Sequence, residues 1–166
     1  MIKLKELLEN KYKIFVDMDG VLTDFVKQFN SIGVGDSYTY EDQHGTEAFW
    51  NVIDKSGLRW WSEMPWMDDG KKLWNYVKNM DVHILSAPAK RLPQSRKGKM
   101  GWVKKQLGNV DLILKDADKK QQYAKPNTIL IDDLVTNIKQ WNSKGGIGIL
   151  HKSAQSTIKK LQNLGL

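Results

Sequence analysis

Cysteine is absent from the 166 residues, so disulfides and thiolate metal sites are excluded, as suits a reducing compartment. No uninterrupted apolar run approaches the ~18–20 residues of a membrane span. The N-terminal stretch MIKLKELLENKYK is charged throughout and has no signal-peptide core, so a cytoplasmic protein without membrane contact is expected. No internal repeat, low-complexity tract or GxGxxG fingerprint of a dinucleotide fold occurs. Acidic residues are missing from 82–110, where seven Lys/Arg meet no Asp/Glu, and that segment accounts for the whole net charge of +7. Its members, Lys90, Arg91, Arg96, Lys97, Lys99, Lys104 and Lys105, suit a phosphate-bearing partner, although most of them read as a solvated loop and helix face.

What is present points to one α/β domain over 1–166. Forty per cent hydrophobic residues, with seven Trp, five Tyr and four Phe, supply a real core. Short apolar runs at 12–16 (YKIFV), 82–85 (VHIL), 111–114 (DLIL), 128–131 (TILI) and 147–150 (IGIL) read as five strands. Helical spacing falls between them, at Leu73, Trp74, Val77 and Met80, at Trp102, Val103 and Leu107, and at Leu134, Val135, Ile138 and Trp141. Asp68 or Asp69 suits the cap of the first of these helices and Gly145 the end of the third. A last helix is expected over 153–164, with Ile158, Leu161 and Leu164 on one face. Such alternation is the pattern of βαβ units around a mostly parallel sheet. Residues 25–67, rich in glycine, acids and aromatics, break the alternation and read as a mostly helical insertion after the first strand.

The chemistry collects at strand ends, where open α/β sheets place ligands. Asp17 and Asp19 in DMDG share a side as the first strand runs out, and Gly20 frees the backbone to turn. Ser86 ends the second strand, and Asp132 and Asp133 follow the fourth. Carboxylates gathered in this way repel one another unless a cation sits among them. A hard divalent ion with oxygen ligands, Mg²⁺ above all, is the natural neutraliser. A nucleophile, an acid, a metal and a lysine are the parts that phosphoryl transfer requires.

DMDGVLTDF, ILSAP and ILIDD resemble motifs I, II and IV of the haloacid dehalogenase-like (HAD) phosphohydrolases, over nearly the whole chain. Within that superfamily DMDGVL-x-DF, WW-x-EMP, the strand ending in SAP and K-x-x-WV-x-K-x-x-G at 99–108 are similar to the 5′(3′)-deoxyribonucleotidases. The resemblance implies a Rossmannoid three-layer fold with a five-stranded parallel sheet, a core of 1–24 and 68–166, and a small helical cap over about 25–67. It implies Asp17 as nucleophile and Asp19 as general acid and base. Mg²⁺ would be held by Asp17, the backbone carbonyl of Asp19, and Asp132, with Asp133 nearby. Ser86, Lys99 and Lys119 match phosphate-binding positions, and Phe25, Trp60 and Trp61 match positions near the base. The chain departs from the family pattern at Ala117, where an Arg is usual before Asp118-Lys119, at Ala87 after Ser86, and at Leu134-Val135 in place of Arg-Pro.

The function expected from these residues is Mg²⁺-dependent hydrolysis of (deoxy)nucleoside monophosphates through an aspartyl-phosphate. Two alternatives stand beside it. A phosphatase of nucleic-acid ends would use the basic segment to hold a strand, and a non-catalytic nucleic-acid-binding module would have no chemical need for both Asp17 and Asp19. A small nucleotide is favoured because an insertion of about forty residues would roof the site, whereas a strand needs an open groove. His44, His83 and His151 show no ligand spacing and are assigned no role.

Overall fold

A computed structural model describes residues 11–166. The charged stretch up to Asn10, and with it the start of the core assigned to 1–24, lies outside the described residues. Five strands form one all-parallel sheet in the order β3-β2-β1-β4-β5: β1 Lys13–Val16, β2 Val82–Ser86, β3 Asp111–Leu114, β4 Thr128–Asp132 and β5 Ile147–Leu150. The apolar runs form the expected strands because a parallel sheet covered on both faces tolerates continuous hydrophobic sequence. β1 is central, with Ile14 opposite both Val82 of β2 and Ile129 of β4.

Period-two alternation divides the core between the two faces of the sheet. Ile14, Val16, Ile84, Ile129 and Ile131 pack with one set of helices: α4 Gly70–Val77, α5 Pro93–Gln106 and α7 Ala154–Asn163. Phe15, Leu85 and Leu130 face the other way, onto Ile138 and Trp141 of α6 Val135–Ser143 and onto Tyr123 of a 3₁₀ helix, Ala117–Tyr123. Trp141 is fully buried and meets Phe15 edge to face at 5.4 Å, a contact whose truncation to alanine costs about 3–5 kcal/mol.

Three helices follow β1 within the stretch 25–67: α1 Phe25–Asn30, α2 Ser37–Lys55 and α3 Gly57–Ser62. α2 is broken at Gly45 (φ 81°, ψ 162°), so its second half starts afresh at Thr46. α3 lies against α5 because Gly98 leaves room: a Cβ there would stand 2.1 Å from the Cβ of Trp61. The indole of the fully buried Trp102 donates to the Met64 carbonyl at 2.8 Å, which ties the WWSEMP segment to the same helix.

Two helix ends differ from expectation. Asp69 occupies the cap position of α4 without a side-chain bond to that helix. Its carboxylate accepts instead from the backbone N–H of Ala154 at 2.5 Å, at the start of α7, because an anion suits whichever helix N-terminus tertiary packing brings closer. Gly145 does stand with positive φ just past the end of α6, as expected.

Candidate active site

The register of β1, β2 and β4 sets Asp17, Ser86 and Asp132 side by side at the carboxyl edge of the sheet. Asp17 is held there by its own N–H, which donates to the Ile131 carbonyl at 2.9 Å. Past Asp17 the chain folds into a compact turn in which the N–H groups of Val21, Leu22 and Thr23 converge on the Met18 carbonyl. Gly20 takes φ 78° in that turn, and a Cβ on it would lie 2.1 Å from Oδ2 of Asp133. Glycine is therefore required twice over, by the turn and by the acid packed against it.

Two buried lysines organise the carboxylates. Lys120, only 2 % exposed, puts its Nζ 2.9 Å from Oδ1 of Asp17 and 2.8 Å from Oδ2 of Asp132. Asn137 of α6 also donates to Oδ2 of Asp132 at 2.9 Å, and the Leu134 N–H donates to Oδ1 at 2.9 Å. Lys99, 1 % exposed, donates to Oδ2 of Asp19 at 2.7 Å, to Oγ of Ser86 at 2.9 Å and to the Ala87 carbonyl at 2.7 Å. All three of its protons are thereby used. Thr23 donates its hydroxyl to Oδ1 of Asp19 at 2.9 Å, so both oxygens of that carboxylate are oriented.

Burial dominates the electrostatics. It pushes the Asp17 carboxyl up to about 7; Lys120 opposes the rise, while Asp132 and Asp19 add to it. Burial and the neighbouring Asp132 raise Asp133 to about 6. For Lys120, burial disfavours the charge, but Asp17 and Asp132 outweigh it and the net direction is upward.

Asp17, Asp132 and Asp133 each offer one carboxylate oxygen, and these atoms lie within 4.8 Å of one another. An all-oxygen set of three carboxylates, two of them buried, fits a hard divalent cation such as Mg²⁺. The raised pKa values of Asp17 and Asp133 have the same origin: burial disfavours the charged form and the neighbouring Asp132 carboxylate adds repulsion.

Two clefts meet over these groups and share Asp19, Phe25, Ala87 and Ala117 as lining. The smaller, about 520 Å³, holds Asp17, Lys120, Asp133 and Asn137. The larger, about 660 Å³, is walled by Phe25, Trp50 and Trp61 and edged by Lys90 and Arg91. None of the three histidines lines either cleft.

The residues singled out in the sequence are brought together unequally. Asp17, Asp19, Ser86, Lys99, Asp132 and Asp133 converge within this one site. Lys119 does not join them: its side chain is half exposed and its Nζ stands 3.7 Å from Asp116. Lys120 takes the inward place, because in a 3₁₀ helix residues three apart share a face and Ala117 and Tyr123, on either side of Lys120 at that spacing, line the cleft and pack on Phe15. That i, i+3 spacing was the signal available for Lys120. Phe25 and Trp61 line the larger cleft, but Trp60 lies behind them, 5 % exposed and edge-on to Phe25 at 5.2 Å, its indole N–H buried without a partner. Trp50, which sequence reasoning missed, lines the cleft instead. Of the seven basic residues, Lys99 is inside the site and Lys90 and Arg91 stand at its edge, while Arg96, Lys97, Lys104 and Lys105 are exposed and line neither cleft.

No protein-family model matches the chain, and no curated protein matches it in sequence. Solved structures do match it in shape. A hydrolase from Streptococcus pneumoniae TIGR4 superposes with TM-score 0.53 at 13 % identity, covering 92 % of this chain and 99 % of that one. A HAD family hydrolase from Deinococcus radiodurans R1, whose structure holds phosphate and sodium, gives 0.51 at 13 % identity over 94 % of this chain and 89 % of that one. A hydrolase from Pseudomonas syringae gives 0.52 at 11 % identity, over 93 % and 90 %. At such identities the likeness is one of fold: the five-stranded parallel sheet with flanking helices shares the α/β architecture of these hydrolase structures.

Proposed function

We propose that the protein is a Mg²⁺-dependent phosphomonoesterase of the HAD type that acts on (deoxy)nucleoside monophosphates, in the manner of a 5′(3′)-deoxyribonucleotidase. The observation that carries this reading is the pairing of Asp17 with Lys120 and of Asp19 with Lys99 at one strand end, where the smaller cleft adjoins an aromatic cleft of about 660 Å³. The phosphate held by the similarly folded Deinococcus hydrolase agrees with it.

In this reading an Asp17 carboxylate oxygen attacks phosphorus. A P–O bond to Asp17 forms, the ester P–O bond breaks, and Asp19 gives its proton to the departing alkoxide. Asp19 then takes a proton from water, whose oxygen attacks phosphorus; the Asp17–phosphate bond breaks and inorganic phosphate leaves. Asp17, Asp132 and Asp133 would hold the Mg²⁺, which when bound offsets the negative charge brought together by carboxylate and phosphate. Ser86, Lys99 and Lys120 surround the place where phosphoryl oxygens would lie and supply a hydroxyl and positive charge. Helices α1 to α3 act as the cap, carrying Phe25, Trp50 and Trp61 to the leaving nucleoside. With only Lys90, Arg91 and Lys99 of the seven basic residues at the cleft, a small anion is favoured over a strand that would track all seven charges.

The test is phosphate release from nucleoside monophosphates, with and without EDTA, in the wild type and Asp17→Asn. Turnover is expected in Mg²⁺ and should fall by several orders of magnitude in the variant. Full activity in excess EDTA or in Asp17→Asn overturns the assignment. A phosphorylated ten-mer that outperforms mononucleotides, with a rate that collapses as salt rises, replaces it by an end phosphatase.

A further inference from the structure

Beyond its aromatic lining the larger cleft carries an unspent pair of charges. Six charged residues line it: Asp19, Glu47, Lys90, Arg91, Lys99 and Asp116. Asp19 is paired with Lys99, and Asp116 with Lys90 and Lys119. Among the described residues no ion pair or side-chain hydrogen bond engages Glu47 or Arg91.

Glu47 is brought to the cleft by the break at Gly45. The second half of α2 begins there, and Thr46, Glu47 and Trp50 line the cleft together, the i, i+3 and i, i+4 spacing of one helical face. Arg91 comes from the loop that follows Ser86 and Ala87, so it is tied to the opposite, sheet-borne part of the site. A planar group stacked on the aromatic walls would meet an acceptor-only carboxylate from one element and a donor-only guanidinium fork from the other.

That combination fits one nucleobase. Guanine presents two adjacent donors, N1–H and the N2 amino group, which match the two oxygens of a carboxylate, and two adjacent acceptors, O6 and N7, which match an arginine fork. Adenine, cytosine and thymine each place a lone pair beside their donor, where it would face a carboxylate oxygen. We propose, on the nucleotide reading given above, that Glu47 is the specificity-determining residue of the cleft and selects a guanine-bearing nucleoside monophosphate, with Arg91 reading the opposite edge.

The test measures kcat/KM for dGMP, dAMP, dCMP and dTMP in the wild type, Glu47→Gln and Arg91→Lys, together with equilibrium binding of the same nucleotides to Asp17→Asn protein by tryptophan fluorescence. Ratios between bases are read, so an incompletely folded fraction cancels. The wild type should prefer dGMP by about 10- to 100-fold, the range expected of a hydrogen-bond pair to a charged group. Glu47→Gln should erase most of that preference and improve dAMP relative to dGMP, because an amide offers one donor and one acceptor. Arg91→Lys should erode the preference less. Nucleotide turnover with no guanine preference, or a preference that Glu47→Gln leaves intact, overturns the role of Glu47 and leaves the phosphatase reading standing. Hydrolysis of an aryl phosphate that depends on Asp17, with no nucleotide either bound or hydrolysed, overturns the nucleotide reading and the Glu47 assignment with it.

Discussion

The sheet edge and the helical insertion bury polar atoms under different rules. At the edge, the two fully buried lysines are paired throughout: Lys99 spends its three protons, and Lys120 spans two carboxylates. In the insertion, aromatic rings pack on one another, Phe29 stacked on Phe49 at 4.6 Å and Phe25 edge-on to Trp60, while Trp60 Nε1 and Ser37 Oγ remain buried without partners. The difference teaches where rigidity is needed. Charges in a poorly solvated place must be held in fixed geometry or they unfold the site, whereas apolar packing tolerates an imperfect polar atom at a cost of about 1–3 kcal/mol.

The hardest blow to this contrast is Lys120→Met. Removing the ammonium leaves Asp17 and Asp132 facing each other, and the loss in stability should be about 3–5 kcal/mol in EDTA, read from urea unfolding. Mg²⁺ should restore part of it, since the cation would answer the same carboxylates. A variant as stable as the wild type without metal would mean that the edge tolerates unanswered charge after all.

Next in size is the aromatic wall. Trp50→Ala should raise KM for nucleotides by the equivalent of about 1–3 kcal/mol, the worth of one stacked base, while the KM of a small aryl phosphate changes little. Trp60→Ala, by contrast, removes a ring that does not line the cleft, so thermal unfolding should report it more strongly than KM does. Equal losses on both substrates in Trp50→Ala would make that residue core rather than binding surface.

The pH dependence follows from Asp17. Its carboxyl titrates near 3.8 when unfolded and is pushed up to about 7 when folded. Between those values the folded chain holds a proton that the unfolded chain has lost, so this group makes stability fall as pH rises from about 4 through about 7. Asp133, raised to about 6, acts in the same direction over a narrower window. Melting temperatures in EDTA should therefore decline more steeply between pH 4.5 and 7.5 for the wild type than for Asp17→Asn, and Mg²⁺ should flatten the wild-type slope. Identical slopes would remove Asp17 from the account.

The smallest effect is expected inside the insertion. Trp60→Phe deletes an indole N–H that has no partner and keeps most of the ring, so stability should stay within about 1 kcal/mol or rise slightly. A loss well beyond that would show that the apolar region is as exacting as the charged edge.

Much of this protein is legible in its sequence. A buried parallel strand is a short apolar run, and its end is the first polar residue after it, so the five strands and the placing of Asp17, Ser86 and Asp132 followed from local pattern. The i, i+2 spacing of Asp17 and Asp19 around a glycine that must turn was equally local. Tertiary structure alone decided which of two adjacent lysines points inward, which of the clustered tryptophans reaches the cleft, and which helix Asp69 serves. Those choices depend on how helices are rotated against their neighbours, and one residue along a 3₁₀ or α-helix turns a side chain by roughly 100–120°. Strand ends are set by the chain's own sequence, whereas helix rotation is set by what the helix packs against.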